Sequence, residues 1–235
     1  MIKKICISGI MILSVIVNDV YSQKKSLGIE DFKAPLGDWF EAGAVKLEAD
    51  NEKKLFVTDG EGVLINGMVG KTEHLITKDN HGDTRLKLEF MIPKGSNSGV
   101  YLQGRYEIQI LDSWGREKMV SGDCGGIYQR WDENRKENKG FEGTPPPVNA
   151  SKKSGEWQHL LISFKAPRFN AEGEKIKNAV FKKVKLNGVR LHRNVEVTGP
   201  TRSSLDDIEE PTGPLMLQGD HGQVAFRNIR ITKFN

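Results

Sequence analysis

The sequence predicts an all-β protein, a single-domain jelly-roll β-sandwich built from two antiparallel sheets. Three observations predict this class. Short runs of alternating apolar and polar residues recur along the chain and are separated by Gly, Asn and Asp. Two such runs flank Asn187-Gly188, the residue pair preferred in a type I′ hairpin turn. No segment has the apolar spacing of an amphipathic helix of useful length.

The strand pattern is clearest in residues 83–92. Leu86 and Leu88 fall on one face there, and Arg85 and Lys87 fall on the other. The remaining predicted strands are residues 61–66, 73–77, two strands bent around Gly104 within 96–112, 125–129, 157–165, the two arms of 178–192, 215–219 and 223–234.

Two of these strands carry a further expectation. Residues 157–165 have apolar side chains on both faces, which predicts a strand buried on both sides. In residues 223–234 the alternation slips at Asn228, which predicts a β-bulge at that position.

The N-terminus resembles an export signal. Lys3 and Lys4 precede an apolar run over residues 5–17, and a small-residue cleavage site ends at Ser22. We therefore expect a signal peptide over residues 1–22, a mature domain over residues 23–235 and a periplasmic or secreted protein. No later segment is apolar enough to cross a membrane. Cleavage would leave Cys124 as the only cysteine, so we expect a buried, inert thiol and no intrachain disulfide.

Charge and loop length narrow the function classes. The formal net charge is only +4, and Lys and Arg are spread over many segments, so we do not expect nucleic-acid binding. Residues 130–154 and 198–214 form long polar stretches rich in Pro and charge. Long loops of this kind in a compact domain are usually functional or disordered.

The polar face of residues 100–110 is the first candidate site. Val100, Leu102 and Tyr106 form part of a core stripe on the opposite face. A row of planar hydrogen-bonding groups with an aromatic ring suits the hydroxyl groups and the apolar face of a sugar. This row is Tyr101, Gln103, Arg105, Glu107 and Gln109.

Two further clusters carry polar groups at Gly-rich turns. Gln218 and His221 flank Asp220 between two predicted strands, where a carboxylate would raise the basicity of the imidazole. Tyr128 and Arg130 suit stacking against a sugar, or a structural loop at one end of the sandwich. The predicted strand 96–112 lacks the paired carboxylates that ordinary retaining glycoside hydrolysis needs about 5 Å apart.

The ordered set of motifs resembles the bacterial 3-keto-disaccharide hydrolase family, also described as 3-keto-glucoside 1,2-lyase and 3-keto-2-hydroxy-glucal hydratase. The resemblance implies a concanavalin-like jelly roll, export and a glycoside or oligosaccharide substrate. The motifs, in order, are Asn97-Ser98-Gly99-Val100-Tyr101, Tyr106-Glu107-Ile108-Gln109-Ile110-Leu111-Asp112, Gly126-Ile127-Tyr128, Gly155-Glu156-Trp157, Leu186-Asn187-Gly188, Leu217-Gln218, His221-Gly222 and Phe226-Arg227-Asn228-Ile229.

The chemistry implied by this resemblance is β-elimination from a sugar oxidised at C3, which requires a base and a group that stabilises an enolate. Glu107 or His221 is the candidate base, and both are tentative ligands of a divalent metal ion. Arg105, Gln109 or that ion would stabilise the enolate. The substrate-binding candidates are Tyr101, Gln103, Gln109, Tyr128, Arg130 and Gln218. Two alternatives remain open, a conventional glycoside hydrolase and a non-catalytic carbohydrate-binding module.

Overall fold

The computed structural model describes residues 26–234, and these residues form strands and loops with one short 3₁₀ turn at Ile29–Asp31. The strands are β1 Phe40–Glu48, β2 Asn51–Ile65, β3 Leu75–His81, β4 Thr84–Met91, β5 Asn97–Leu102, β6 Tyr106–Leu111, β7 Arg130–Trp131, β8 Gly140–Phe141, β9 Gln158–Lys165, β10 Arg168–Phe169, β11 Lys175–Lys177, β12 Ala179–Leu186, β13 Val189–Val197, β14 Gly213–Leu217 and β15 Ala225–Lys233. Within this range no helix is long and apolar enough to cross a membrane. The expected signal peptide, residues 1–22, lies outside the described residues.

Two antiparallel sheets form the sandwich. The larger sheet has seven strands in the order β1-β2-β15-β4-β9-β12-β13, and the smaller has four in the order β3-β14-β5-β6. Two short ribbons, β7-β8 and β10-β11, lie outside these sheets. The predicted all-β sandwich of two antiparallel sheets is confirmed.

The core lies between the sheets because alternate residues of each strand point inward. In β4, Leu86 and Leu88 are fully or almost fully buried, whereas Arg85 and Lys87 are exposed. Aromatic rings from both sheets meet in this core. The Tyr106 ring lies 5.3 Å from the Phe164 ring, which in turn lies 5.4 Å from the ring of Phe181. Burying one such side chain stabilises the fold by about 1.5–3 kcal/mol.

The turn and the bulge predicted from the sequence are both present. Asn187 and Gly188 have φ values of 50° and 85° and join β12 to β13, as a type I′ turn requires. The register of β15 against β4 shifts between Arg227 and Arg230, and Asn228 has a φ of 54°. The predicted β-bulge at Asn228 is therefore confirmed.

Two strand predictions need correction. Strand β9 is buried on one face only, because His159 is exposed and Leu161 is half-buried on the other face. Leu161 lies in a recess on the outer face, which accounts for an apolar residue at this position. Residues 125–129 do not form a strand of their own, and only Ile127 makes isolated bridges there, to Ile108 and to Thr144.

Loops continue the four-stranded sheet beyond its edge strand β6, and the loop after β13 also reaches over its outer face. Backbone hydrogen bonds join β6 to residues 125–128, including the Tyr128 N–H donated to the Glu107 carbonyl at 3.1 Å. The loop after β13 follows the same edge, where the Arg202 N–H reaches the Gln129 carbonyl at 2.9 Å. The side chains of this face are consequently buried although they do not point into the core.

Candidate functional site

A polar cavity of about 140 Å³ lies between the outer face of the four-stranded sheet and the loop after β13. Its lining includes six residues predicted from the sequence as site residues. The lining residues are Asn97, Tyr101, Glu107, Gln109, Tyr128, Arg202, Ser203, Gln218 and His221. Glu107 and His221, the two candidate bases, therefore face the same cavity.

The β5–β6 hairpin brings three of these side chains together. Tyr101 lies directly opposite Glu107 in the register, and Gly99 lies opposite Gln109. On the other side of β5, the Gln218 N–H donates to the Gly99 carbonyl at 3.0 Å. Gly99 is required sterically, because a Cβ atom there would lie 2.2 Å from Glu107 Oε1. The missing side chain leaves the space that the carboxyl group of Glu107 occupies.

The pKa of the Glu107 carboxyl group is shifted toward neutral pH. Its side chain is 1% exposed, and burial raises its pKa from 4.5 to about 8. Interaction with the Tyr101 side chain opposes this shift, and the negative charge of Asp220 adds to it. Burial and the neighbouring Glu107 also raise the pKa of Tyr101 well above its usual value, so that the phenol remains protonated.

Four buried oxygen atoms that line the cavity have no hydrogen-bond partner within the described residues. They are Asn97 Oδ1, Glu107 Oε2, Gln109 Oε1 and Gln218 Oε1. Leaving a buried polar atom unpaired costs about 1–3 kcal/mol, so a fold seldom gathers four of them without a partner. The hydroxyl groups of a sugar are suitable partners, because carboxyl and amide groups can accept or donate to them.

His221 stands at the mouth of the cavity, where 52% of its side chain is exposed. Its Nδ1 lies 2.5 Å from Asp220 Oδ1, which holds Nδ1 as the donor and leaves Nε2 as an acceptor. The side-chain amide of Gln218 lies 3.3 Å from the same Nδ1. This arrangement can accept or return a proton at Nε2.

The β14–β15 turn that carries His221 is held by Asn66. The Asn66 Nδ2 donates to the carbonyl groups of Gly219 at 2.9 Å and Gly222 at 2.7 Å. Its Oδ1 accepts the Val224 N–H at 2.7 Å. Asn66 is fully buried, so these three hydrogen bonds fix the turn to the end of β2.

Three predicted site residues lie away from the cavity. The predicted alternation fails after β5, because Gln103 and Gly104 turn with φ values of 55° and 68°. The Gln103 amide donates to the carbonyls of His81 and Pro211. Arg105 forms a two-bond ion pair with Asp206, at 3.0 and 3.2 Å.

Arg130 is the third of these residues. Its Nη1 donates to Thr198 Oγ1 at 2.7 Å, and its guanidinium lies 5.0 Å from the centre of the Phe141 ring. In the described structure none of the three lines the cavity.

Three residues of the lining were not predicted from the sequence. Asn97 has a signal in the strand pattern, since it precedes Gly99 and Tyr101 on the same face of β5. Arg202 and Ser203 belong to the long loop expected to be functional, but nothing local marks these two positions. The Tyr101 hydroxyl donates to the Arg202 carbonyl at 3.3 Å, which ties this loop to the cavity.

The oxygen atoms and the imidazole that line the cavity fit a divalent cation bound by few anionic ligands. The part of the chain that the structure describes holds no group of three or more His, Cys, Asp and Glu side chains able to bind a metal. Three lining oxygens are nevertheless unpartnered, Glu107 Oε2 and the amide oxygens of Gln109 and Gln218. Asp220 contacts His221 at Nδ1 and therefore leaves Nε2 available. Oxygen ligands with one imidazole suit several divalent ions.

Cys124, predicted to be inert, is buried. Burial raises the pKa of its thiol to about 11, so the thiolate is not formed at neutral pH.

Solved structures similar to this chain include three candidate glycosyl hydrolases from Parabacteroides distasonis ATCC 8503. One is 27% identical with a TM-score of 0.57, over 87% of this chain and 84% of that protein. Another is 16% identical with a TM-score of 0.52, over 84% of this chain and 89% of that protein, and shows the fold alone.

A curated protein, the iron–sulfur cluster assembly protein SufC of Plasmodium falciparum (isolate 3D7), is 28% identical over 160 residues. That match covers 68% of this chain, and the chain spans only 42% of the length of that protein. The model of the 3-keto-alpha-glucoside-1,2-lyase-like domain, in contrast, matches residues 29–232. On that match, which includes every residue of the cavity, the chain belongs to the 3-keto-alpha-glucoside-1,2-lyase-like domain family.

Proposed function

We propose that this protein is a carbohydrate-active enzyme that cleaves 3-keto glycosides by β-elimination, by hydration of the resulting glycal, or by both. One observation carries the proposal. A single buried carboxyl group, Glu107, with its pKa raised to about 8, lies in a cavity lined by unpartnered polar atoms and shared with His221. Membership of the 3-keto-alpha-glucoside-1,2-lyase-like family supports the substrate class.

Glu107 acts as the general base in this proposal. A ketone at C3 acidifies the C2 proton, and the ionised Glu107 carboxylate removes it to give an enolate. The enolate electrons form a C1–C2 double bond as the C1–oxygen bond breaks and the aglycone leaves. A base with a pKa near 8 is strong enough to take this proton and is still partly ionised at neutral pH.

His221 and the amide groups stabilise the negative charge that develops on the aglycone oxygen and on the enolate oxygen. His221 Nε2, when protonated, donates a proton to the departing aglycone oxygen, while Asp220 stabilises the positive imidazole. The Gln109 amide donates to the enolate oxygen. For hydration the same groups act in reverse: water adds its hydroxyl to C1, and Glu107 returns the proton to C2. The sum of the two steps is hydrolysis.

A divalent cation is compatible with this cavity. When bound, it would supply positive charge that stabilises the enolate oxygen. Glu107 and His221 would hold it, with Gln109 and Gln218 as further oxygen ligands. A ligand role would keep Glu107 ionised and would exclude it from acting as a free base in that form.

We also propose that the protein acts in the periplasm or outside the cell. The proposal rests on the basic and apolar N-terminal residues and the small-residue cleavage site before Gln23.

Replacing Glu107 tests the proposed chemistry directly. We expect Glu107→Gln to lower kcat for a 3-keto disaccharide by about 10²–10⁴-fold, because the amide cannot accept the C2 proton. In the wild type the rate should rise with pH through about 8, as Glu107 ionises. Product formation is followed by the ultraviolet absorbance of the glycal and by hydrogen exchange at C2 in heavy water.

Glu137→Gln is the matched control, because Glu137 is an exposed carboxylate outside the cavity. This variant should keep wild-type rates. Full activity of Glu107→Gln would remove Glu107 from the mechanism. Faster cleavage of an unoxidised nitrophenyl glucoside than of the 3-keto substrate would identify a conventional hydrolase. Saturable binding without turnover of either compound would identify a binding module.

A further inference from the structure

The outer face of the seven-stranded sheet carries two adjacent rows of directly paired residues across five strands. The first row is Arg230, Lys87, Leu161, Lys185 and Arg190, and the second is Thr232, Arg85, Ser163, Lys183 and Arg193. We call these two rows the basic face. Six of its seven cations are exposed, and Lys185 is half-buried.

The basic face contains no carboxylate. Within residues 26–234, none of its seven cations takes part in an ion pair. The nearest row holds Glu89, which is already engaged by Arg227 at 2.7 Å and by Asn228 at 3.1 Å. The positive charge of the basic face is therefore uncompensated by the surrounding side chains.

This arrangement works against the stability of the sheet. Three pairs of cations lie directly opposite each other on neighbouring strands: Arg230 with Lys87, Lys185 with Arg190 and Lys183 with Arg193. Like charges in such positions are destabilising, and a solvated sheet face normally mixes both signs. A sheet that tolerates them is suited to a partner of negative charge.

The shape of the face restricts that partner. A recess of about 440 Å³ runs along the first row, with Leu161 in its lining between Lys87 and Lys185. Glu89 also lines the recess, where its carboxylate is engaged by His159 at 3.4 Å and by Asn228 at 3.1 Å. A recess with an apolar floor and cations on both sides fits a narrow chain better than a planar lipid surface.

The spacing of the charges also fits a chain. Neighbouring strands lie about 4.8 Å apart, so cations in one row stand about 5 or 10 Å from each other. Acidic groups on a linear polysaccharide repeat on the scale of a single sugar unit. The face presents no row of aromatic rings on which the bases of a single-stranded nucleic acid would stack, since Phe234, at its edge, lies against Arg85.

We propose that the basic face binds a linear acidic polysaccharide, with carboxylate or sulfate groups, at a site separate from the cavity. The cavity lies on the outer side of the four-stranded sheet, and the basic face lies on the outer side of the seven-stranded sheet. Both sites can therefore be occupied at once. Binding would hold the enzyme on an acidic glycan while the cavity remains open to substrate.

The test compares two triple variants that lose the same charge. Lys87→Ser, Lys185→Ser and Arg230→Ser together remove three cations from the first row. Lys71→Ser, Lys118→Ser and Lys136→Ser together remove three exposed cations elsewhere on the chain. Dissociation constants are measured by calorimetry for polygalacturonate, heparin and neutral dextran, and circular dichroism checks folding. Polygalacturonate and heparin distinguish carboxylate from sulfate recognition.

We expect the wild type to bind at least one acidic polymer and not dextran, with weaker binding at high salt. The basic-face triple variant should bind it at least 10-fold more weakly, and the control triple variant within about 2-fold. Turnover of a 3-keto disaccharide should be unchanged in both. Equal weakening in the two variants, no binding of either polymer, or tighter binding to duplex DNA or anionic phospholipid vesicles would overturn the proposal. Amide hydrogen exchange on the wild type, with protection expected in β4, β12 and β15, gives a result that does not depend on the variants.

Discussion

Glu107 reduces the stability of the fold while it supplies the proposed base. Its pKa is 4.5 in an exposed chain and about 8 in the folded protein, chiefly because of burial. Between these two pH values the folded protein holds a proton that the unfolded chain has released. Stability therefore falls as pH rises from about 4.5 to about 8. At 1.36 kcal/mol per pKa unit, the loss approaches about 5 kcal/mol above pH 8.

Glu107→Gln should consequently stabilise the protein as it inactivates it. The amide keeps the shape of the side chain and carries no charge to bury, so the melting temperature should exceed that of the wild type at pH 9 by about 5–15 °C. At pH 5 the two proteins should melt within about 2 °C of each other. Calorimetric scans at pH 5, 7 and 9 measure this, with Glu137→Gln as the control. An equal difference at all three pH values would contradict the assigned pKa.

Three of the six cavity residues predicted from the sequence are fixed by strand alternation, and the other three, Tyr128, Gln218 and His221, belong to Gly-rich turns. Tyr101, Glu107 and Gln109 share a face because the β-strand period places them there. Gln103 and Arg105 were expected on that face, but the turn at Gln103 and Gly104 interrupts the alternation and directs both side chains elsewhere. The position of Arg202 depends on contacts with residues far along the chain, which no local pattern records.

At the scale of the elements, the cavity depends on how the β14–β15 turn is attached to the sandwich. His221 lies on that turn, and the three hydrogen bonds of the Asn66 amide connect it to the end of β2. Asn66 does not line the cavity, so it is a positioning residue for His221. Its place before Gly67 in the sequence indicates only a turn.

Asn66→Ala should separate this positioning role from simple stability. We expect a loss of about 2–4 kcal/mol in the free energy of unfolding, because buried carbonyl and N–H groups lose their partner. We also expect kcat for a 3-keto disaccharide to fall more than 10-fold while KM changes little, because His221 is displaced. Urea denaturation and steady-state kinetics, both at a temperature where the variant is folded, give these values.

Asn149→Ala is the matched control for this change. The Asn149 amide also makes three hydrogen bonds to loop backbone, with the Ser113 and Arg116 carbonyls and the Ser151 N–H, and it does not line the cavity. Its removal should lower stability and leave kcat unchanged. Wild-type kcat in folded Asn66→Ala, or an equal loss of kcat in Asn149→Ala, would show that Asn66 has no positioning role.

At the scale of the whole molecule, the sandwich was predictable because most strands have one core face and one polar face. Strand β1 and the first part of β2 were not predicted, since their burial does not alternate regularly. They pack in a second, smaller cluster with Met91 and Ala225 on the outer face of the large sheet. The pairing of such a ribbon is set by tertiary contacts, which local patterning does not show.

Buried and ion-paired groups that titrate make the stability of the whole molecule dependent on pH. His81, at the end of β3, accepts the Gln103 N–H at Nε2 and lies 3.0 Å from the Gly82 carbonyl at Nδ1. Burial lowers its pKa from 6.5 to about 4. For Asp83 and Glu89 the fold favours the charged form instead: burial alone would raise the pKa of each carboxyl, but their cationic partners hold it below its usual value.

Protonation of Glu107 stabilises the fold over the same pH range, so acid should destabilise the Glu107→Gln variant, which lacks that opposing effect, in two stages. Between pH 6.5 and 4 the unfolded chain binds a proton at His81 that the folded protein does not, so stability falls by up to about 3 kcal/mol as pH decreases. Below that window the loss continues as the paired carboxylates, Asp83 and Glu89, are protonated. Urea denaturation of Glu107→Gln at pH 7, 5.5 and 4.5 should resolve the first stage, and addition of His81→Gln should reduce its slope. Equal stability of the Glu107→Gln variant at pH 7 and pH 4.5 would show that the His81 environment does not resist protonation. The hydrogen bond from the Gln103 N–H would then have to be replaced when the imidazole is charged.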